Sequence, residues 1–407
     1  MKRFDAAEFR SHFPILNRTV HGKPLVYLDS AATAQKPQCV IDVVNELHTS
    51  LNANIHRGVH YLAEECTALY EKARSRVGQM LGTDSREEIV FTSGATASLN
   101  LAAYSLAEMC IGTGDNVVVS QMEHHSNLVP WQEMCRRRGA ELRMLPFDEE
   151  GRLQVEMLDQ IADERTKVVA VTQCSNVLGT KPDLRAVIDC AHAKGAIVVV
   201  DGCQGAVHGG VNVRELGCDI YAFSGHKLYA PTGIGVMYAR RELLDKMPVW
   251  QCGGDMVQTV SFEKTTFAEL PLRFEAGTAN YVGAIALGTA IDFVSEYNQA
   301  EMERYTQSLY TQAEQALLQI DGLKIYGTTP DKAPILSFGV EGVHPYDVGM
   351  ILDKLGVAVR TGTHCAEPVM SRYGVSGMCR ASLAPYNTPD EVEALVAGVK
   401  RAVRMLR

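Results

Sequence analysis

A chain of 407 residues is long for one hydrophobic core and comfortable for two domains. Its 46% hydrophobic and 21% charged residues give the balance of a soluble enzyme. The net charge of −9 argues against a general nucleic-acid or anionic-membrane binder, which needs a basic face. Eleven cysteines with no Cys-x-x-Cys pair and no even framework read as free thiols in a reducing cytoplasm. The basic start, Met1-Lys2-Arg3, has no apolar segment behind it, so no secretory signal is expected. The longest apolar runs, such as 196–200, are far too short to span a bilayer.

In chain order, residues 1–20 read as a short amphipathic helix and a turn at Pro14, and 25–29 as a strand. A helical pattern covers 37–82, broken at 52–58. From Glu88 onward, short apolar runs alternate with helical stretches. The runs 89–92, 116–121, 142–146, 168–173, 196–201, 219–224 and 235–239 predict strands. Helices are predicted near 96–110, 128–139, 153–163 and 183–194. This rhythm predicts a mostly parallel sheet covered on both faces. It fades after about 245 into a loop-rich segment, 250–280. Two long helices follow, 281–297 and 301–319, and then a smaller α+β region with strands at 335–340, 357–360 and 378–384.

Ligands gather at the carboxyl ends of strands in such a sheet. Five of those ends here are polar: 92–96, 123–127, Ser175-Asn176, 201–204 and 224–227. Lys227 stands directly after an apolar strand, between Ser224 and His226 on one side and a glycine-rich turn on the other. Desolvation at such an edge favours the free amine, a nucleophile or Schiff-base former; the plainer reading is a solvated lysine at a strand end. Thr96, after Gly94-Ala95, opens a helix whose free N–H groups suit phosphate or serve as an ordinary cap. Asp201 could cap a helix, bind a metal or pair with a heterocyclic cation. His124-His125 and the pair His56/His60 invite a metal reading, but no metal-binding spacing supports it and no metal is expected. Cys365 lies in a glycine-containing loop, Arg360-Thr361-Gly362-Thr363-His364-Cys365, where a neighbouring cation would favour its thiolate.

Together, Asp201-Gly202-Cys203-Gln204, Ser224-Gly225-His226-Lys227, Arg273-Phe274-Glu275-Ala276-Gly277-Thr278 and Arg360–Ala366 resemble the pyridoxal-phosphate-dependent cysteine desulfurases of group II, the SufS/CsdA type. The likeness runs nearly end to end, within the class-V aminotransferases. It implies an α/β fold, the fold type I of pyridoxal-phosphate-dependent transferases, with a seven-stranded large domain at 21–290. A smaller α+β domain from 1–20 and 291–407 would carry the cysteine loop. It implies that Lys227 holds pyridoxal 5'-phosphate as a Schiff base and that Asp201 pairs with its ring nitrogen. His124 would stack on the ring and move protons, and Gln204 would bond its phenolic oxygen. Ala95, Thr96, Ser224 and His226 would bind the phosphate, with Thr278 reaching in from a second subunit of a homodimer. Arg380 and Asn176 would bind the substrate carboxylate, and Arg360 and His56 would line the same pocket.

The implied activity converts L-cysteine to L-alanine and leaves a persulfide on Cys365. The sulfur would pass to an acceptor of the SufE or SufU type and to a SufBCD scaffold for iron–sulfur cluster assembly. A selenocysteine lyase or cysteine sulfinate desulfinase on the same scaffold is the nearer alternative, and a non-catalytic assembly scaffold the more distant one. The chain departs from the group at Thr363, where histidine is common, and at Ala97 and Cys203. Cys203, next to the expected ring site, or Cys252, expected near the pocket mouth, is expected to make the enzyme sensitive to oxidants.

Overall fold

The computed structural model describes all 407 residues. The apolar runs form one seven-stranded sheet: β1 (Ile89–Thr92), β2 (Asn116–Ser120), β3 (Glu141–Leu145), β4 (Thr166–Thr172), β5 (Ile197–Asp201), β6 (Ile220–Ser224) and β7 (Gly235–Ala239). Their order is β1-β7-β6-β5-β4-β2-β3. Only β7 runs against its neighbours; the other pairings are parallel. Alternation within each run divides the side chains between two faces. Val198 and Val200 join Val169 and Val171 in one core, while Val199, Val168 and Ala170 join the other. Burial on both faces is why these strands read as continuous apolar runs. Helices Tyr61–Leu81, Leu184–Ala193 and Tyr281–Ser295 cover the first face, and Ala95–Cys110 and Val129–Arg138 the second.

A second, antiparallel sheet holds β8 (Leu323–Tyr326), β9 (Ile335–Val340), β10 (Arg360–Gly362) and β11 (Met378–Ser382), in the order β8-β9-β11-β10. Helices Gln299–Leu317, Pro345–Lys354 and Pro389–Leu406 pack on it around a core of their own. The last helix starts with a capping box in which Thr388 and Glu391 satisfy each other's backbone N–H. The N-terminal helix, Ala6–Ser11, places Phe9 and Phe13 among Phe293, Tyr229 and Tyr386 in the larger core. From the same helix, Arg10 reaches Glu391 at 2.9 Å.

Four stretches differ from their sequence pattern. The expected helix 153–163 shrinks to one turn of 3-10 helix and the single turn Leu158–Ile161. The expected strand 25–29 forms a ladder only over Val26–Tyr27, with Val357–Ala358, while Asp29 makes a single bridge to Ser382. The run 357–360 divides there, because Arg360 turns to pair with Arg380 in the second sheet. Within the loop-rich segment, Val257–Val260 and Thr265–Phe267 form a hairpin with Phe262 fully exposed at its tip. No helix is long and apolar enough to cross a membrane.

Candidate active site

Because β7 alone is reversed, six strands of the large sheet present their carboxyl ends along one edge. Ser224 ends β6 there, and Gly225–Lys227 turns away as a single 3-10 turn. Gly235 sits level with both Thr92 and Ser224, and a Cβ on it would fall 2.4 Å from the Cα of Gly94. That contact brings the start of helix Ala95–Cys110 onto β6. The Ala95 N–H donates to Ser224 Oγ at 2.8 Å, and Thr96 Oγ1 lies 2.8 Å from Ser126 Oγ. His226 is fixed through its carbonyl, which accepts from the N–H of Ala34, the hydroxyl of Thr33 and Nζ of Lys36, each at 3.1 Å. Its ring Nδ1 is buried with no partner. Burial, and then the charges of Lys227 and Lys36, push the imidazole down to about 4. A helix start, a hydroxyl and an unpartnered imidazole at one end make a place for an anionic group such as phosphate.

Asp201, 4% exposed at the end of β5, accepts the Cys203 N–H on Oδ1 at 2.9 Å. Its other oxygen is left for a donor inside the cavity. His124 accepts the Ser126 N–H on Nδ1 at 3.1 Å, which sets its proton on Nε2. Burial, and then the charge of Lys227, hold that ring down to about 4, so it is neutral at pH 7. Beneath both lies Glu123, 1% exposed. Its carboxylate accepts from the Thr172 N–H and the Asn127 amide at 2.7 Å each, and from the Ser120 hydroxyl. Burial pushes this carboxyl up to about 8.

The other wall comes from the second sheet. Arg380 on β11 is 2% exposed and opposes Arg360 on β10. Two like charges set directly opposite repel, so the pair favours an anion. Arg380 donates to Asp29 Oδ1 at 2.9 Å and to the Asn176 carbonyl at 2.8 Å, while its Nε is buried without a partner. Burial raises the Asp29 carboxyl above its ordinary range, against the pull of Arg380.

The Cys365 loop closes this end. The His125 N–H donates to the Cys365 carbonyl and the Asn176 amide donates to the His364 carbonyl, each at 2.9 Å. His364 and Cys365 are held at φ 54° and 57°, a left-handed region that few non-glycine residues occupy. Cys365 is half-buried and does not itself line the cavity; its neighbour His364 does, and the His125 N–H ties the Cys365 backbone to the segment that carries His124.

One cavity of about 150 Å³ is thus lined by fifteen residues, among them Ala95, Thr96, His124, Asn176, Asp201, Ser224, His226, Lys227, Arg360 and Arg380, with Ala31, Ala32, Ser126, Cys203 and His364 completing it. The first ten were all singled out in the sequence. Gln204 is buried beside them, but it donates to the Ala31 carbonyl at 2.8 Å and faces a separate, larger cavity behind Lys227. His56 lies on a neighbouring loop, 3.5 Å from Glu71 and edge-on to Tyr70. Thr278 is exposed on the 275–280 loop. Cys203 borders the cavity, and burial and then Asp201 push its thiol up to about 12. Sequence reasoning missed Glu123, Lys36, Asp29 and His364. The readable signals were a lone carboxylate after an apolar run at Asp29, and the membership of Glu123 and His364 in polar segments already singled out, 123–127 and 360–365.

Residues 26–395 match the aminotransferase class-V family. The chain belongs to that family, among its group II cysteine desulfurases. It is 49% identical over 404 residues to a cysteine desulfurase of Klebsiella pneumoniae, covering 99% of both chains. It is 48% identical over 397 residues to a probable cysteine desulfurase of Vibrio cholerae, covering 98% of both. Its fold superposes on the crystal structure of the cysteine desulfurase CsdA (S-sulfonic acid) from Escherichia coli. There the TM-score is 0.93, at 41% identity and full coverage of both chains. The apo structure of a cysteine desulfurase from Thermococcus onnurineus gives 0.94 at 36% identity, again over both full chains.

Proposed function

We propose that this protein is a cysteine desulfurase that uses pyridoxal 5'-phosphate to convert L-cysteine to L-alanine, leaving a persulfide on Cys365. One observation carries the reading. A single cavity joins a lysine, a buried carboxylate and two facing arginines beneath a loop that bears a half-buried cysteine. The cofactor's parts match what the chain leaves unsatisfied. Ser224, Thr96, the Ala95 helix start and the orphaned His226 Nδ1 would hold its phosphate. The free oxygen of Asp201 would accept its ring N–H, and Lys227 would anchor it covalently. When bound, pyridoxal phosphate supplies an electron sink that makes the substrate's α-proton removable.

The chain's own residues do the rest. Arg380 and Arg360 would take the carboxylate of L-cysteine, with the Asn176 side-chain oxygen alongside. Lys227 Nζ would accept the α-proton, and neutral His124, with its proton on Nε2, would move protons above the ring. Cys365, as thiolate, would bond to the substrate sulfur. The carbon–sulfur bond breaks with its electron pair left on carbon, which takes a proton. L-cysteine and a thiol therefore become L-alanine and a persulfide, with no outside oxidant. The persulfide would pass to a SufE- or SufU-type acceptor and on to a SufBCD scaffold for iron–sulfur cluster assembly in the cytoplasm. Thr278 and His56 lie outside the cavity of their own chain, which suits a homodimer whose second copy completes the site.

The test is product analysis with L-cysteine and a reductant. The expected result is alanine and sulfide in equal amounts, both lost in Lys227→Ala. A keto acid in place of alanine would contradict the reading. Full activity of Cys365→Ala on L-cysteine would shift it towards chemistry in which the leaving group departs unaided, as with selenocysteine or cysteine sulfinate.

A further inference from the structure

His125 and Thr363 stand out in the sequence, and the proposed reaction gives neither a task. The structure joins them through Glu367. The Thr363 hydroxyl donates to Glu367 Oε1 at 2.8 Å, and His125 Nε2 meets Oε2 of the same carboxylate. Both partners bracket the cysteine. The His125 N–H holds the Cys365 carbonyl at 2.9 Å, and the Thr363 carbonyl accepts the Ala366 N–H at 3.0 Å. One carboxylate therefore ties the near side of the loop to the segment that carries His124. Between these ties, His364 and Cys365 keep left-handed backbone angles. The His125–Glu367 contact is partly open to solvent, with side chains 36% and 54% exposed, so it is weak enough to open. Burial works against the charge on Glu367, but the Thr363 hydrogen bond and His125 together keep its carboxyl below the usual range.

We propose that Glu367 is a positioning residue which, through Thr363 and His125, clamps the Cys365 loop against the His124 side of the cavity and releases it when the clamp opens. Glu367 touches neither substrate nor cofactor; it acts through Cys365, and the proposal rests on the reaction put forward above. The carboxylate is specific to the task because both of its oxygens meet donors. Glutamine would keep one arm, and alanine neither.

The test uses the holoenzyme and two readouts. The first is steady-state alanine formation from L-cysteine. The second is the rate at which iodoacetamide alkylates Cys365, followed by peptide mapping without substrate. In Glu367→Ala, kcat should fall roughly ten-fold, as expected for a displaced nucleophile, with KM changed less than about two-fold. Cys365 alkylation should quicken several-fold. Thr363→Val and Glu367→Gln should fall between this variant and wild type, and Thr363→Ser should match wild type. Wild-type values in Glu367→Ala for both readouts would overturn the clamp, as would a change confined to KM. A wild-type enzyme that makes no alanine would instead sink the reaction, and the alkylation rates would still decide the clamp.

Discussion

Two successive residues in left-handed backbone, His364 and Cys365, each cost about 1–3 kcal/mol. Hydrogen bonds from His125 and Asn176, and from His364 Nε2 to the Met378 carbonyl at 3.1 Å, offset that strain. His364 is 4% exposed. Burial, and then the charges of Arg380 and Arg360, push its ring down to about 3. The unfolded chain therefore takes up this proton first as pH falls. The stabilisation is complete above about pH 6.5 and is lost from there downward. By pH 5 this one group should remove roughly 2 kcal/mol. Urea unfolding at pH 7 and pH 5 checks it: His364→Gln should lose less stability between the two than wild type does. The thiols separate in the same way. Cys203 is buried with its thiol pushed up to about 12, whereas Cys252 is exposed. Oxidation runs through exposed thiolate, so the expected oxidant sensitivity narrows to Cys252 among these two. Cys252→Ser should slow peroxide inactivation, and Cys203→Ala should leave its rate unchanged.

At the scale of elements, the approach of β7 to the helix start at Ala95 sets the phosphate end. Gly235→Ala would drive a methyl into the Gly94 backbone. It should cost roughly 2–3 kcal/mol of stability, typical of overpacking. It should also reduce the cofactor retained on purification, read from absorbance; an unchanged urea midpoint would contradict it. Six of the seven strands were legible because they are buried and leave a largely apolar run; the edge strand β3, ELRML, is mostly exposed and was read from its place in the rhythm. Their ends were less so: β4 starts at Thr166, two residues before its apolar run, because Thr166 donates to the Asn116 side chain at 2.7 Å and is buried there. The 257–267 hairpin was not legible, since its exposed faces carry little apolar alternation.

At the scale of the whole molecule, the site lies where two cores meet, and its residues come from strand ends far apart in the chain. Lys227 and Asp201 could be read because each stands at an edge after an apolar run; the roles of Arg380, Arg360 and Asn176 were read only through the family resemblance. The ties that aim them could not, since Arg380 with Asp29, or His226 with Thr33, are long-range contacts without local pattern. A third such tie is the fully buried Arg74. It meets Glu275 through paired bonds of 2.6 and 3.0 Å, with Tyr70 and the Phe91 N–H on the same carboxylate. This network anchors β1 to the loop that carries Thr278. Glu275→Gln should cost about 3 kcal/mol, because it removes the more deeply buried of the two carboxylates on Arg74 and leaves Glu71 as its only counter-charge. A urea midpoint equal to wild type would refute that. The central claim is tested most directly by the mass of the peptide containing Cys365 after the holoenzyme meets L-cysteine without reductant or acceptor. One added sulfur atom on that peptide, absent in Lys227→Ala, is the predicted result. An unmodified Cys365 peptide in a preparation that has already produced alanine would contradict it.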